Sequence, residues 1–252
     1  MTFLLPLYTL WLREIVRFIR QKNRVFGALG QPLIFWLLFG TSFSASFKMG
    51  NMGYLEYFFP GVLTMIVLFT AIFSSFSIIE DRKEGFLQAV LVSPTPRLSL
   101  VLGKILGGAT IATLQALLFL LLAPLLHIPL TFWTFVWSLK CLFLIALSLT
   151  AFGFCLAWRM DSIQGFHAMM MLVLLPLWFL SGAFFPSSGL PWILKGVMAI
   201  NPLTYGLAAV RHLLYLGNPG VSDMPSLGLS LIVIVLWGAI ATGVSLVVVK
   251  KH

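Results

Sequence analysis

The chain has 252 residues, of which 60% are hydrophobic and only 9% charged, with a net charge of +9 and a mean hydropathy of +1.03. A soluble domain carries about 25% charged residues, and no water-soluble fold of this length could cover so much apolar surface, so the solvent is lipid. Backbone groups in hydrocarbon must pair internally, which leaves helices or closed barrels, and the apolar stretches here run on without the polar alternation of barrel strands.

Residues 6–22 come first. At about 100° per residue, Arg13, Arg17, Arg20 and Arg24 share one sector of a helix. Tyr8, Trp11, Leu12, Ile15, Phe18 and Ile19 share the opposite one. The split predicts an interfacial helix, with its basic face toward water and headgroups and its aromatic face dipped into the bilayer. The same cations interrupt the apolar run, which argues against a cleaved signal sequence. Six spans follow, at 25–46, 56–79, 99–126, 132–157, 164–182 and 228–249. Each is near the roughly 20 residues that a bilayer requires. One all-α membrane domain over 1–252 is expected, with no soluble appendage.

Lysine and arginine set the expected orientation. With the N-terminus inside, the inner set is Arg13, Arg17, Arg20, Lys22, Arg24, Arg82, Lys83, Arg97, Lys104, Arg159, Lys250 and Lys251, twelve against Lys48, Lys140, Lys195 and Arg211 outside. Both termini are therefore expected in the cytoplasm, and the positive charge needs no nucleic acid to explain it. Cys141 and Cys155 lie in one apolar segment, where about 1.5 Å per residue separates them too far for a disulfide.

Two connections break the up-and-down pattern. Residues 80–98 form an inner loop carrying Glu80, Asp81, Arg82, Lys83 and Glu84. Within it Phe86, Leu87, Val90 and Leu91 recur at helical spacing, an apolar face that calls for a partner. Residues 183–227 are too apolar for a solvated loop and are broken by Pro186, Pro191 and Pro202. Two short helices that enter the outer leaflet and return are expected there. Gln115, Lys140, Gln164 and His167 are the polar residues within spans, and Gly103-x-x-x-Gly107 and Ala239-x-x-x-Gly243 permit close helix approach.

The segment EDRKEGFLQAVLVSPTPRLSLVLGK, residues 80–104, resembles the cytoplasmic loop of ABC-2-type permeases. The matching residues are Glu80, Asp81, Arg82, Lys83, Glu84, Gly85, Ser93, Pro94, Arg97, Leu102, Gly103 and Lys104. The Gly85-Phe86 pair is most similar to the daunorubicin-resistance branch of drug and lipooligosaccharide exporters, although the acid after Asp81-Arg82 is displaced by one position. A second resemblance is FLSGAFFPSSGLPWILKGVMAINPLTYGLAAVRHLLY, residues 179–215, where Asn201, Pro202, Leu203, Thr204, Tyr205 and Arg211 stand in the family's places.

The resemblance implies a permease that exports a hydrophobic or amphiphilic substrate, a drug or lipid, across a bacterial inner membrane. Its partners would be an ABC ATP-binding subunit, a second permease copy in a homodimer, and membrane lipids. A lipid-linked saccharide is the alternative cargo, and a channel or scramblase the alternative class. It further implies that Glu80, Asp81, Arg82, Glu84, Gly85, Phe86, Leu87, Pro94 and Arg97 couple to the ATPase, and that Phe185, Pro186, Asn201, Pro202, Tyr205 and Arg211 form an outer re-entrant gate. Phe69, Phe73, Phe76, Met170 and Trp178 are candidates for the substrate path. No G-x-x-x-x-G-K-[ST] is present, since Lys104 is followed by Ile105, so ATP and Mg²⁺ are expected on the partner subunit. The four histidines are scattered and no metal-spaced or catalytic constellation occurs, so neither an enzyme nor a resident cofactor is expected.

Overall fold

The fold is that of a computed structural model whose described residues are 3–44, 48–49, 52–186, 190–215 and 224–250. Its helices are α1 (Leu4–Arg20), α2 (Lys22–Ser44), α3 (Tyr54–Ser74), α4 (Phe76–Lys83), α5 (Phe86–Val92), α6 (Arg97–Leu120), α7 (Phe132–Ala157), α8 (Ile163–Trp178), α9 (Trp192–Ile200), α10 (Pro202–Leu214) and α11 (Leu227–Lys250). A two-residue antiparallel ladder, Lys48–Met49 against Met52–Gly53, joins α2 to α3, where the sequence suggested only a loop. The protein is an all-α membrane protein.

Among the described residues, six stretches are long and apolar enough to cross a bilayer: Val25–Ser44, Tyr54–Lys83, Arg97–Leu126, Phe132–Ala157, Ile163–Ala183 and Leu227–Lys250. Two of them, at 30 residues each, are longer than expected. Such a helix is about 45 Å long against about 30 Å of hydrocarbon. The second and third stretches meet α5 at one end of the bundle. There α4 continues α3, so the expected loop at 80–98 begins only after Lys83. The physical reason is that only a one-residue turn at Ser75 separates α3 from α4, and no glycine or proline follows before Gly85. That residue takes φ +76°, open to glycine at little cost, and its N–H returns to the Arg82 carbonyl at 3.2 Å. Pro94 and Pro96 then end α5, and Pro96 caps α6.

The core is built around α3. Its span is 78% buried, against 17% for α2 and 28% for α11. A helix apolar all round and buried is a spine, whereas α2, α8 and α11 leave apolar surface for lipid or another copy. Phe58, Phe59, Leu63 and Ile66 of α3 are wholly buried. The α7–α11 seam closes on Gly238, packed against Ser148, whose hydroxyl also bonds the Ile234 carbonyl at 2.9 Å. Gly243, the glycine of the expected close-approach pair, has open space beside it instead.

The first helix is amphipathic as expected, but its basic face is not all free for water and headgroups. It packs lengthwise and parallel along the start of α6. Ser99 Oγ donates to the Phe3 carbonyl at 3.0 Å, Gly103 receives Leu10, Gly107 receives Glu14, and Trp11 Nε1 donates to Thr110 Oγ1 at 3.1 Å. Tyr8, Leu12 and Ile19 remain exposed, as an apolar lipid-facing side requires. The basic side does not all face water, because Arg13 and Arg17 turn onto a cluster of acids. The Arg24 side chain lies outside the described residues.

Candidate functional site

Three features stand out along the bundle. At the end where α4 and the start of α6 meet α5, Asp81 of α4 is fully buried and is the hub of an ionic cluster. Arg13 grips it with both Nη atoms at 2.9 and 2.7 Å, Arg17 Nη1 adds a bond at 2.8 Å, and Lys104 Nζ of α6 bonds its other side. Lys104 also donates to Glu14 at 2.6 Å and to Ser77 at 3.1 Å, and Arg17 pairs with Glu80 at 2.9 Å and Glu84 at 3.3 Å. Three cations meet four carboxylates from α1, α4, α6 and the turn before α5. Charges held out of water persist only when paired and hydrogen-bonded in this way. Burial works against the Arg13 charge, but the bonds and charge of Asp81, with Glu14 and Glu84, outweigh it and raise its pKa. The Arg13 guanidinium lies 3.8 Å from the centre of the Phe86 ring, so the cluster also holds α5.

The residues expected to couple to an ATPase therefore divide. Leu87 is buried and Phe86 is half-buried under Arg13, so neither presents the apolar docking face expected of them. The reason is that α5 folds this side back onto its own bundle and leaves Gln88, Ala89 and Val92 outward, Val92 at 87% exposure. Glu84 and Pro94 are exposed and Glu80 is half-buried. Arg82 ties α4 to the α7–α8 turn through the Met160 and Trp158 carbonyls and Asp161. Arg97 caps the last turn of α11 through the Val249 and Lys250 carbonyls, at 3.0 and 2.8 Å. Sequence reading missed Glu14 and took Lys104 for a topology marker. The available signal was a lone acid on an otherwise basic helix face and a lysine inside an apolar run.

The second feature is a cavity of about 350 Å³, a volume within the usual range for small-molecule pockets. Phe69, Phe73 and Phe76 form one wall, Gly27, Gln31 and Pro32 of α2 another, and His167 and Met171 of α8 a third, with Phe18 and Ile111 at the edge. The His167 ring stacks on Phe73 at 5.0 Å. Among the described residues no lysine, arginine or carboxylate lines it. Of the candidate path residues, Met170 and Trp178 lie elsewhere, in the core, where Trp178 Nε1 bonds the Gly61 carbonyl at 2.8 Å. Met171 takes the place expected of its neighbour, because Met170 sits on the buried face of α8. Beside the cavity, Thr70 bonds Gln115, and one atom of that buried amide is left without a partner.

The third feature is at the opposite end. Trp178 is followed by a π-type turn, Phe179–Ala183, with Gly182 at φ +90°. Arg211 of α10 is 2% exposed and donates through Nη2 to the carbonyls of Gly182 at 3.1 Å and Tyr57 at 3.3 Å, its guanidinium 4.1 Å from the Tyr57 ring centre. The Tyr57 hydroxyl donates to the same Gly182 carbonyl at 3.1 Å. No carboxylate pairs with Arg211 among the described residues, so carbonyl dipoles and a π face carry its charge. Asn201 caps α10 by accepting from Leu203 N at 2.9 Å and reaches back to the Leu177 carbonyl at 2.6 Å, with Pro202 at the first helical position. Here α9 and α10 bend by 85°. The Tyr205 hydroxyl bonds the Ala199 carbonyl across this bend at 2.8 Å. Phe185 is exposed and Pro186 half-buried, whereas Phe184, not singled out from sequence, packs against Phe39, Phe58 and Trp178. Of the expected outer region 183–227, residues 187–189 and 216–223 lie outside those described.

Comparison with known proteins agrees with this layout. Residues 6–215 match the model of the ABC-2 type transporter family. The chain is 30% identical over 216 residues to the transport permease ycf38 of Cyanophora paradoxa, covering 84% of this chain and 74% of that one. It is 26% identical over 234 residues to the inner membrane transport permease YadH of Escherichia coli K12, covering 87% and 85%. It is also 24% identical over 224 residues to the daunorubicin resistance ABC transporter permease protein DrrB1 of Streptomyces coeruleorubidus, covering 85% and 76%.

Proposed function

Because this chain belongs to the ABC-2 type transporter family and is a multi-pass membrane transport permease, we propose that it exports uncharged or weakly polar amphiphiles, drug-like or lipid, across a bacterial inner membrane. ATP is hydrolysed, with Mg²⁺, on a separate subunit, and two copies of this chain form the working permease. The observation that carries the reading is the cavity between α2, α3 and α8. Its aromatic and methionine walls suit greasy, variable cargo, and its polar groups, Gln31, Thr70, Ser74 and His167, are hydrogen-bonding side chains. A phospholipid headgroup would want a cation there. A saccharide would want tyrosine or tryptophan faces, and neither lines it among the described residues. The relative named for daunorubicin resistance is in keeping with drug export.

The coupling path follows the helices. The ATP-binding subunit docks on the outward side of α5, at Gln88, Ala89 and Val92. Displacement of α5 pulls Phe86 against Arg13 and moves the Asp81 hub, which shifts α1 and α6 together. Because α4 follows α3 after the single turn residue Ser75, the same displacement reaches Phe76, Phe73 and Phe69 in the cavity wall. The start of α1 and the end of α11 lie on this cytoplasmic side, and Arg211 locks the far end until cargo leaves.

The test is ATPase activity in lipid nanodiscs after coexpression with a candidate ATP-binding subunit. Val92→Asp is expected to abolish copurification of that subunit. Phe73→Ala is expected to keep the complex and its basal ATPase while reducing stimulation by hydrophobic compounds about 10-fold, the equivalent of about 1.4 kcal/mol. A chain that recruits no ATPase and transports alone would overturn the proposal in favour of a channel or scramblase.

A further inference from the structure

Between α6 and α7 lies an open groove of about 440 Å³, lined by Thr113, Leu139, Lys140, Phe143 and Leu144. It shares no lining residue with the cavity of α2, α3 and α8. Its charged residue is Lys140, which lies inside the apolar span Phe132–Ala157 and is exposed. No carboxylate pairs with it among the described residues, and its ammonium sits 4.5 Å from the centre of the Trp137 ring. A lysine that starts within a span and carries its cation toward the lipid headgroups favours an anionic partner there.

The register along α7 says where that partner is. Lys140 follows Phe132 by eight residues, about 12 Å along the helix. The lysine stem carries its ammonium back toward the Phe132 end. Phe132, Trp133 and Trp137 are exposed at that end, as an interfacial aromatic belt is. The ammonium therefore reaches the level of lipid phosphates. Below it, Phe143, Leu144 and Thr113 run toward the bilayer centre, and the Thr113 hydroxyl is already committed to the Ala109 carbonyl at 2.7 Å. The groove thus pairs one cation at the headgroup level with a purely apolar trough beneath. We propose that it binds one phospholipid, the phosphate on Lys140 and one acyl chain laid between α6 and α7 against Leu139, Phe143 and Leu144.

The experiment is native mass spectrometry of the full chain in detergent, titrated with phosphatidylglycerol or with diacylglycerol of the same chains. Wild type is expected to hold one phosphatidylglycerol per chain and to bind diacylglycerol at least 10-fold more weakly. Lys140→Gln, which removes the cation, and Leu144→Trp, which fills the trough and leaves the cation, are each expected to weaken phosphatidylglycerol binding at least 10-fold. Equal retention of diacylglycerol by wild type would overturn the proposal, and that comparison needs no variant to fold. Unchanged phosphatidylglycerol binding by either variant, eluting as wild type does, would overturn it as well.

Discussion

Lys104 shows at the scale of one residue what the charges in this chain do. It is 4% exposed and sits between Glu14, Asp81 and Ser77. Replacing it by methionine removes the charge, which leaves buried Glu14 with only Arg13 at 3.5 Å, while Asp81 keeps Arg13 and Arg17. Breaking a buried pair from one side costs about 3–5 kcal/mol, so Lys104→Met is expected to lower the thermal midpoint in detergent strongly. Glu14→Gln in the same background is expected to recover part of the loss, because the carboxylate that lost its close partner is gone. A double variant no more stable than the single would show that Lys104 and Glu14 are not energetically coupled. Arg211 is the opposite case, since no stranded carboxylate is left behind when it is replaced. Arg211→Met is expected to cost less than Lys104→Met, as seen by the same thermal assay.

At the scale of elements, the decisive position is Gly85. Its φ of +76° ends α4 and starts α5 at the angle that puts Phe86 under Arg13. No neighbouring atom crowds a Cβ there, so Gly85→Ala acts through the backbone alone. Left-handed backbone costs an ordinary residue about 1–2 kcal/mol, enough to unseat a seven-residue helix without unfolding the bundle. The expected outcome is a chain with near-normal thermal stability that copurifies poorly with its ATP-binding subunit. Normal copurification would mean that α5 is positioned by its apolar contacts and not by this turn.

At the scale of the whole molecule, the bundle is buried unevenly. The first and fifth spans are 17% and 22% buried, and they flank the cavity. If a second copy completes the path, its surface meets α2 and α8. Leu172→Cys on α8, exposed at 77%, is then expected to give an oxidised cross-linked dimer in membranes. Ile240→Cys on α11, equally apolar and exposed at 62%, is expected to give none. Equal cross-linking at both sites would indicate random collision in the bilayer, and cross-linking only through α11 would move the interface to the other side.

Much of this protein is local in origin and so was open to reading from the sequence. Apolar run length determined the six spans, because a helix must bridge a fixed thickness of hydrocarbon. Proline and glycine determined the breaks at Gly85, Pro94, Pro191 and Pro202, because they act on their own backbone. The angular split of residues 6–22 predicted an amphipathic helix. What the sequence could not determine was where its basic face would turn, since Arg13 and Asp81 are brought together only when α1, α4 and α6 pack. The same holds for Phe86 and Leu87, which are apolar in pattern but covered by their own bundle, and for Met171 in place of Met170 at the cavity. Hydrophobic periodicity says that a helix has a face to cover. Only the tertiary packing decides what covers it, because the covering residues come from helices tens of positions away.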